Sequence, residues 1–439
     1  MKKLLFFWNE LKASFWFIPV LLIFFSIALS VGMVYVDSLI QIDQKGILRF
    51  FFVQNLDSAR SILTTISGAM IGVAGTVFSV TLVALTLASS QFGPRLIKNF
   101  MYIRLNQVVL GAYISTYLYC LLVLNSIKDQ QDYTFIPSLA ILMAILATVV
   151  NIILLIVFIH QIAISIQADK VVSDISDFIA IQVKTLFPEK MGNEPDNPEA
   201  LDIKKILVSY PKTFLIESPK SGYLQYADSE NLMGIISQED LVLELNNRPG
   251  SYLVEGKELG KIYSKEELKE NTLRKIHDQF VIGKTKTAQQ DLEYSIHQMV
   301  EIAARALSPG VNDPYTAISC IDNLSSTLSY LADVKFPSQY RFDQDQNLRI
   351  IADTLDFEGV MDAAFNQIRQ FSIGSPAVII RLMEALITIH FFAKRKPQQE
   401  VIVKHAEMIL RMSRETIKEK NDLNDLEERA AKILNEKKE

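Results

Sequence analysis

Between Ser61 and Ser90 the chain runs for thirty residues without a charged side chain, SILTTISGAMIGVAGTVFSVTLVALTLASS. At the helical rise this run reaches roughly 45 Å. The hydrocarbon core of a bilayer is about 30 Å thick. A helix over 61–90 is therefore long enough to span, and it must tilt, bend or protrude. Three further runs qualify as spans: 14–36, 108–127 and 135–167. Four spans place residues 1–168 in a transmembrane domain and make the lipid bilayer the first partner of the chain.

Orientation follows from Lys and Arg in the short flanks. Lys2, Lys3 and Lys12 precede the first span, and Arg95, Lys98 and Arg104 separate the second from the third. The loop between the third and fourth holds only Lys128, beside Asp129 and Asp132. Lys45, Arg49 and Arg60 follow the first span, but Asp37, Asp43 and Asp57 accompany them. This pattern reads as a multi-pass protein of the cell membrane with both termini cytoplasmic. The N-terminus is not a secretory signal, because Glu10 and Lys12 interrupt its apolar residues and the run that follows is long enough to span.

Beyond residue 168 charge becomes dense and the apolar residues periodic. Residues 169–202 read as a helical linker with a turn-rich stretch, EKMGNEPDNPEA. Over 203–263 short segments of strand character (ILVSY, TFLIE, GYLQYAD, LVLELN, GSYLVEGKELGKIYS) alternate with turn signals, giving a small β-rich module. Residues 264–395 form a helical cytoplasmic domain, with amphipathic spacing at 289–307, 314–331 and 378–392. A charged helix over 396–439 ends the chain. The fold class is thus four transmembrane helices plus a cytoplasmic α+β region.

The net charge of −5 gives no basic patch, so no nucleic-acid partner is expected. Two cysteines, Cys120 and Cys320, do not make a disulfide framework and suit a reducing compartment. No P-loop, dinucleotide fingerprint, nucleophile elbow, zincin motif or C-x-x-C is present, so no enzyme activity and no cofactor are expected. Lys257 lies in a turn resembling those of lipoyl-type barrels, but no carrier motif frames it. Glu293, His297, Glu301 and Arg305 recur every fourth residue on one helix. The His297–Glu301 spacing suits a shared metal, yet no second His or Cys lies nearby, so a salt-bridged face is expected and no metal. His277–Asp278 reads as a surface pair.

Two stretches carry candidate function. In the charge-free run, Thr64, Ser67, Gly68, Gly72, Gly75, Thr76 and Ser79 offer hydroxyls and small residues. They suit either close helix packing, through the G-x-x-x-G pair Gly68–Gly72, or the lining of a solute path. No Asp, Glu, Lys or Arg lies inside a span core, which argues against proton-coupled transport. The second stretch is ALSPGVNDPYTA, 306–317. Pro309 stops a helix, Gly310 supplies a special conformation at the exit, and Asp313–Pro314 restarts one. The same geometry leaves Asn312, Asp313 and Thr316, with Arg305 a turn upstream, at a helix N-terminus where a ligand or partner backbone would bind.

At this motif the sequence resembles the DUF2254 family of bacterial membrane proteins. FSVTLVALTLASSQFGPRL (78–96), SGYLQYAD (221–228) and IGKTKTAQQDLEYSIHQMVEIAARALSPGVNDPYTAISCIDNL (282–324) carry the likeness, which extends to about residue 395. The resemblance implies four spans and a cytoplasmic domain, and brings no catalytic residues. Two functions are expected to compete. One is a homo-oligomeric ion channel or conduit lined by 61–90, with the cytoplasmic domain gating or assembling it. The other is a membrane-anchored sensor or scaffold that binds a small ion, ligand or protein through its helical domain.

Overall fold

A computed structural model describes residues 11, 14–39, 52, 53, 55–93, 104–130, 133–183, 188, 191–194 and 202–435. The orientation residues Lys2, Lys3, Lys12, Lys45, Arg49, Arg95 and Lys98, most of the turn-rich linker and the final 436–439 lie outside them. The chain divides into two compact units that meet at Lys170 and Val171.

Among the described residues the first unit holds four helices long and apolar enough to cross a membrane: α1 (Phe17–Leu39), α2 (Leu56–Phe92), α3 (Arg104–Ser126) and α4 (Ser138–Ser165). A short hairpin, β1 (Lys128–Gln130) and β2 (Tyr133–Phe135), joins the last two. At 37 residues α2 outruns the charge-free stretch at both ends. Asn55 sets its start by accepting the Asp57 N–H, and Gly93, at φ 103°, closes it. Neither signal depends on apolarity, which is why hydropathy underestimates this helix. Its length corresponds to about 55 Å.

Helix α3 is the hub of the unit, packing on α1, α2 and α4. Gly111 permits the close approach of α1, since a Cβ there would meet Leu22 Cδ1 at 2.8 Å and Pro19 Cα at 2.9 Å. The Ser26 hydroxyl crosses the same contact to donate to the Ser115 carbonyl. Helix α4 starts after Pro137, which has no capping side chain. Asp37 supplies the cap from α1, accepting the Leu139 and Ala140 N–H groups at 3.0 and 2.9 Å.

Helix α5 (Ala168–Gln182) runs across the boundary at Lys170 and Val171; the second unit continues with α6 (Ile203–Val208), followed by β3 (Lys212–Glu217), β4 (Gly222–Ala227), α7 (Ser229–Gln238) and β5 (Val242–Leu245). Then come β6 (Tyr252–Leu253), β7 (Glu258–Ser264), α8 (Glu270–His277), β8 (Phe280–Gly283), α9 (Leu292–Ala306) and α10 (Pro314–Asp333). The chain ends through β9 (Tyr340–Phe342), β10 (Leu348–Ala352), α11 (Phe357–Phe371), α12 (Pro376–Phe392), α13 (Lys396–Thr416) and α14 (Lys420–Leu434).

Two sheets carry the strands. One is five-stranded, in the order β3-β7-β5-β10-β9, and antiparallel except where β10 pairs with β5. The other is three-stranded, β6-β4-β8. The strands therefore reach well past residue 263, because β8, β9 and β10 complete the sheets. Another difference is local: the segment ILVSY begins as helix, not strand. Asp202 caps α6 by accepting the Lys205 N–H, and Ile203, Ile206 and Leu207 pack with Tyr210, Val242 and Phe342.

Candidate functional site

At about 100° per residue, Leu63, Met70, Val77, Thr81 and Ala88 of α2 fall on one line, and all are buried in the bundle. Gly68, Gly72, Ser79, Thr86 and Ser90 lie within about 20° of the opposite line, and all are exposed. Thr64, Gly75 and Thr76 flank this stripe and are exposed too. Ser67 departs from the other candidates: it is 5% exposed and faces the bundle beside Ile66 and Met70. A Cβ added at Gly68, Gly72 or Gly75 would meet nothing within 4 Å. Among the described residues these glycines thus serve no contact. Exposed Ile71, Phe78, Val80 and Leu87 border the stripe on both sides.

The hydroxyls of the stripe are turned inward at their protons. Ser79 donates to the Gly75 carbonyl at 2.9 Å, Thr86 to Leu82 at 2.9 Å, and Thr76 to Gly72 at 3.3 Å. Such back-bonding uses the proton and leaves the oxygen lone pairs facing outward. The stripe therefore presents hydrogen-bond acceptors on a surface of small residues.

A polar junction inside the bundle has no counterpart among the sequence candidates. Asn151 is 2% exposed on α4; its side-chain amide donates to the Thr116 hydroxyl at 2.8 Å, and its main-chain carbonyl accepts the Tyr113 hydroxyl at 2.7 Å. An Asn within an apolar run is the signal that finds it. The junction locks α3 to α4, a use of polar groups common between membrane helices.

The corner 306–317 is built by a different residue than expected. Asn312, not Gly310, takes the left-handed conformation, at φ 50°. Its N–H reaches the Ser308 carbonyl and the Asp313 N–H reaches Ala306, closing α9. Asp313 then caps α10, accepting the Thr316 N–H at 3.1 Å and the Thr316 hydroxyl at 2.6 Å. The Thr316 bond holds the Asp313 carboxyl below its ordinary range. Asp313 and Thr316 are spent on each other, while Val311 and Tyr315 beside them are exposed. Asn312→Val should lower the melting midpoint by the equivalent of about 1–2 kcal/mol, and Asn312→Gly should leave it near the parent value. Equal midpoints for both would remove the conformational role.

At the start of the polar stripe of α9, Glu293 receives Arg248 at 2.5 Å, and Arg248 also reaches Asp353 at 3.1 Å. One residue before α9, Asp291 caps it by accepting the Tyr294 N–H. Asp291 is 4% exposed, and its second oxygen packs against Gly250 with no hydrogen-bond donor. Burial pushes its carboxyl up to about 6, against the pull of the Tyr294 N–H and of Lys286 at 3.8 Å.

The Asp291 carboxyl titrates above its ordinary range. The ionised form is the one the fold disfavours, so Asp291 weakens the fold above pH 6 by about 3 kcal/mol. That penalty is relieved as pH falls from 6 towards 4. The difference in melting midpoint between the parent and Asp291→Asn should therefore change across pH 4–6 and stay constant above pH 7. A difference that is flat over the whole range would contradict it.

Comparison with known proteins places the chain among membrane proteins. The family model described as predicted membrane protein (DUF2254) matches residues 12–388. Uncharacterised proteins of Mycobacterium tuberculosis (strain H37Rv) and Mycobacterium bovis are each 30% identical over 396 residues, covering 87% of this chain and 72% of the relative. No solved structure matches.

Proposed function

We propose that this chain, which belongs to the DUF2254 family of predicted membrane proteins, is an oligomeric conduit of the cell membrane in which several copies of α2 surround a path for a small cation. The observation that carries this reading is the position of the glycine and hydroxyl stripe, directly opposite the face that α2 buries in its own bundle. Small residues bring no advantage against lipid tails, but they let helices of different copies approach closely. Outward lone pairs without fixed charge suit a cation that must bind weakly enough to leave. In this reading four spans keep both termini on the cytoplasmic side, and the second unit assembles or gates the path.

The sensor reading has less behind it at 305–316, because Asp313 and Thr316 satisfy each other. The test is reconstitution of the full chain in liposomes, with potassium and sodium flux measured, and native mass spectrometry of the protein in nanodiscs. An oligomer with cation flux above that of empty vesicles is expected. A monomer that passes no cation overturns the proposal.

A further inference from the structure

Helices α10 and α12 lie side by side in the same direction. Asp322 pairs with Arg381, Ser325 with the Ala385 carbonyl and Asp333 with Lys394, so partner numbers rise together. Along this pair runs a cavity of about 810 Å³, lined by residues from Asp322 to Val334 on one side and Arg381 to Phe392 on the other. That volume falls in the range of small-molecule sites.

Two observations say what enters it. The first is that the charges at the wall are already paired. The Arg381 guanidinium holds Asp322 and, at 2.8 Å, Glu384. Arg429 reaches the other oxygen of Glu384 at 3.2 Å and also binds Asp425, and Lys394 holds Asp333 at 2.9 Å. Four carboxylates share three cations, and each has a partner. A charged ligand has to compete with one of these pairs, whereas a neutral one uses the N–H groups and lone pairs the pairs leave over.

The second observation is an unmet polar group. Ser329, on the cavity wall, is 7% exposed, and its hydroxyl has no hydrogen-bond partner. A helix serine ordinarily donates to a carbonyl of its own helix, as Ser413 does to Ile409. A buried hydroxyl left unpaired is costly and is expected to find a partner. At the same cavity Tyr330 and Phe392 expose aromatic surface, 53% and 45%, which suits the C–H face of a ring.

We propose that the α10–α12 cavity binds a neutral, hydroxyl-rich small molecule of the sugar or cyclic polyol class, held by Ser329 and the Asp322–Arg381–Glu384 cluster and covered by Tyr330 and Phe392. The proposal is independent of the conduit: it concerns only the second unit and is read by binding, not by flux.

The test uses the full chain in lipid nanodiscs, free of sugar-headed detergent, with saturation-transfer NMR. Three probes share one ring: glucose, its acid glucuronate and its amine glucosamine. Glucose should show saturable transfer, with the two charged probes at least about fivefold weaker. Ser329→Ala should weaken glucose by about fivefold to tenfold. Tyr330→Ala, at an exposed position, should weaken it while leaving the melting midpoint unchanged, so a folding defect is not mistaken for loss of the site. No transfer from any probe, equal or stronger transfer from a charged one, or transfer indifferent to both substitutions overturns the proposal.

Discussion

Gly72→Leu is expected to turn the assembled protein into monomers in nanodiscs and to abolish its cation flux, with the melting midpoint of the monomer unchanged. Gly72 lies on the exposed side of α2. A Cβ there meets nothing within 4 Å of its own chain, so the bundle accommodates a side chain at no cost. Between copies the same four carbons hold the two backbones apart, and the close packing that small residues permit is lost. Gly111 is the internal control. Its Cβ would fall 2.8 Å from Leu22 and 2.9 Å from Pro19, so a leucine there disrupts the monomer before any assembly. A Gly72→Leu protein that still assembles and conducts would show that the stripe faces only lipid.

The largest expected loss of stability is at Arg341. This guanidinium is 2% exposed. It donates through Nε to the Met191 carbonyl at 2.7 Å, through Nη2 to Gly192 at 2.9 Å, and through Nη1 to Glu194 at 3.2 Å. Residues 191–194 are thereby clamped on β9, where Asn193 and Phe342 also exchange backbone hydrogen bonds. Arg341→Met strands two carbonyls, while Glu194 keeps Lys335 and the Ser338 N–H, and it should cost about 3–5 kcal/mol. For a unit of this size the melting midpoint should fall by roughly 10 °C or more, read by circular dichroism of the full chain. Glu194→Gln should cost much less, since Arg341 keeps both carbonyls. Equal losses for the two variants would mean that the ion pair, not the carbonyl clamp, holds the segment.

The legible parts of this molecule are those written in local periodicity. Spans, the amphipathic helices α9, α10 and α12, and the stop and restart around Pro309 and Asp313 all depend on neighbours within a few residues. The glycine and hydroxyl stripe was legible as composition, but its facing was not, because only the contacts of α3 and α4 decide which side of α2 is buried. Ser67 shows the limit: the same residue type as Ser79, twelve residues earlier, turns inward. The left-handed turn at Asn312 escapes the sequence for a related reason. Asparagine tolerates the left-handed conformation almost as glycine does, and Gly310 and Asn312, two positions apart, leave the choice to the geometry of the corner. Arg341 and the pairing of β10 with β5 gave no local signal, since these partners lie about a hundred residues or more away in sequence.

The parallel pairing of β10 with β5 also sets an order of events in synthesis. Ile350 sits opposite Leu243, so one edge of β5 waits for more than a hundred residues to emerge. At about 5–20 residues per second, that edge stays open for roughly 5–20 s. During this interval the spans have already left the ribosome, and the nascent second unit is a half-finished sheet tethered to a membrane. An open strand edge in that state is a template for pairing with a neighbouring chain. Chains made on adjacent ribosomes are therefore most exposed to misassembly after β7 is complete and before Ala352 appears.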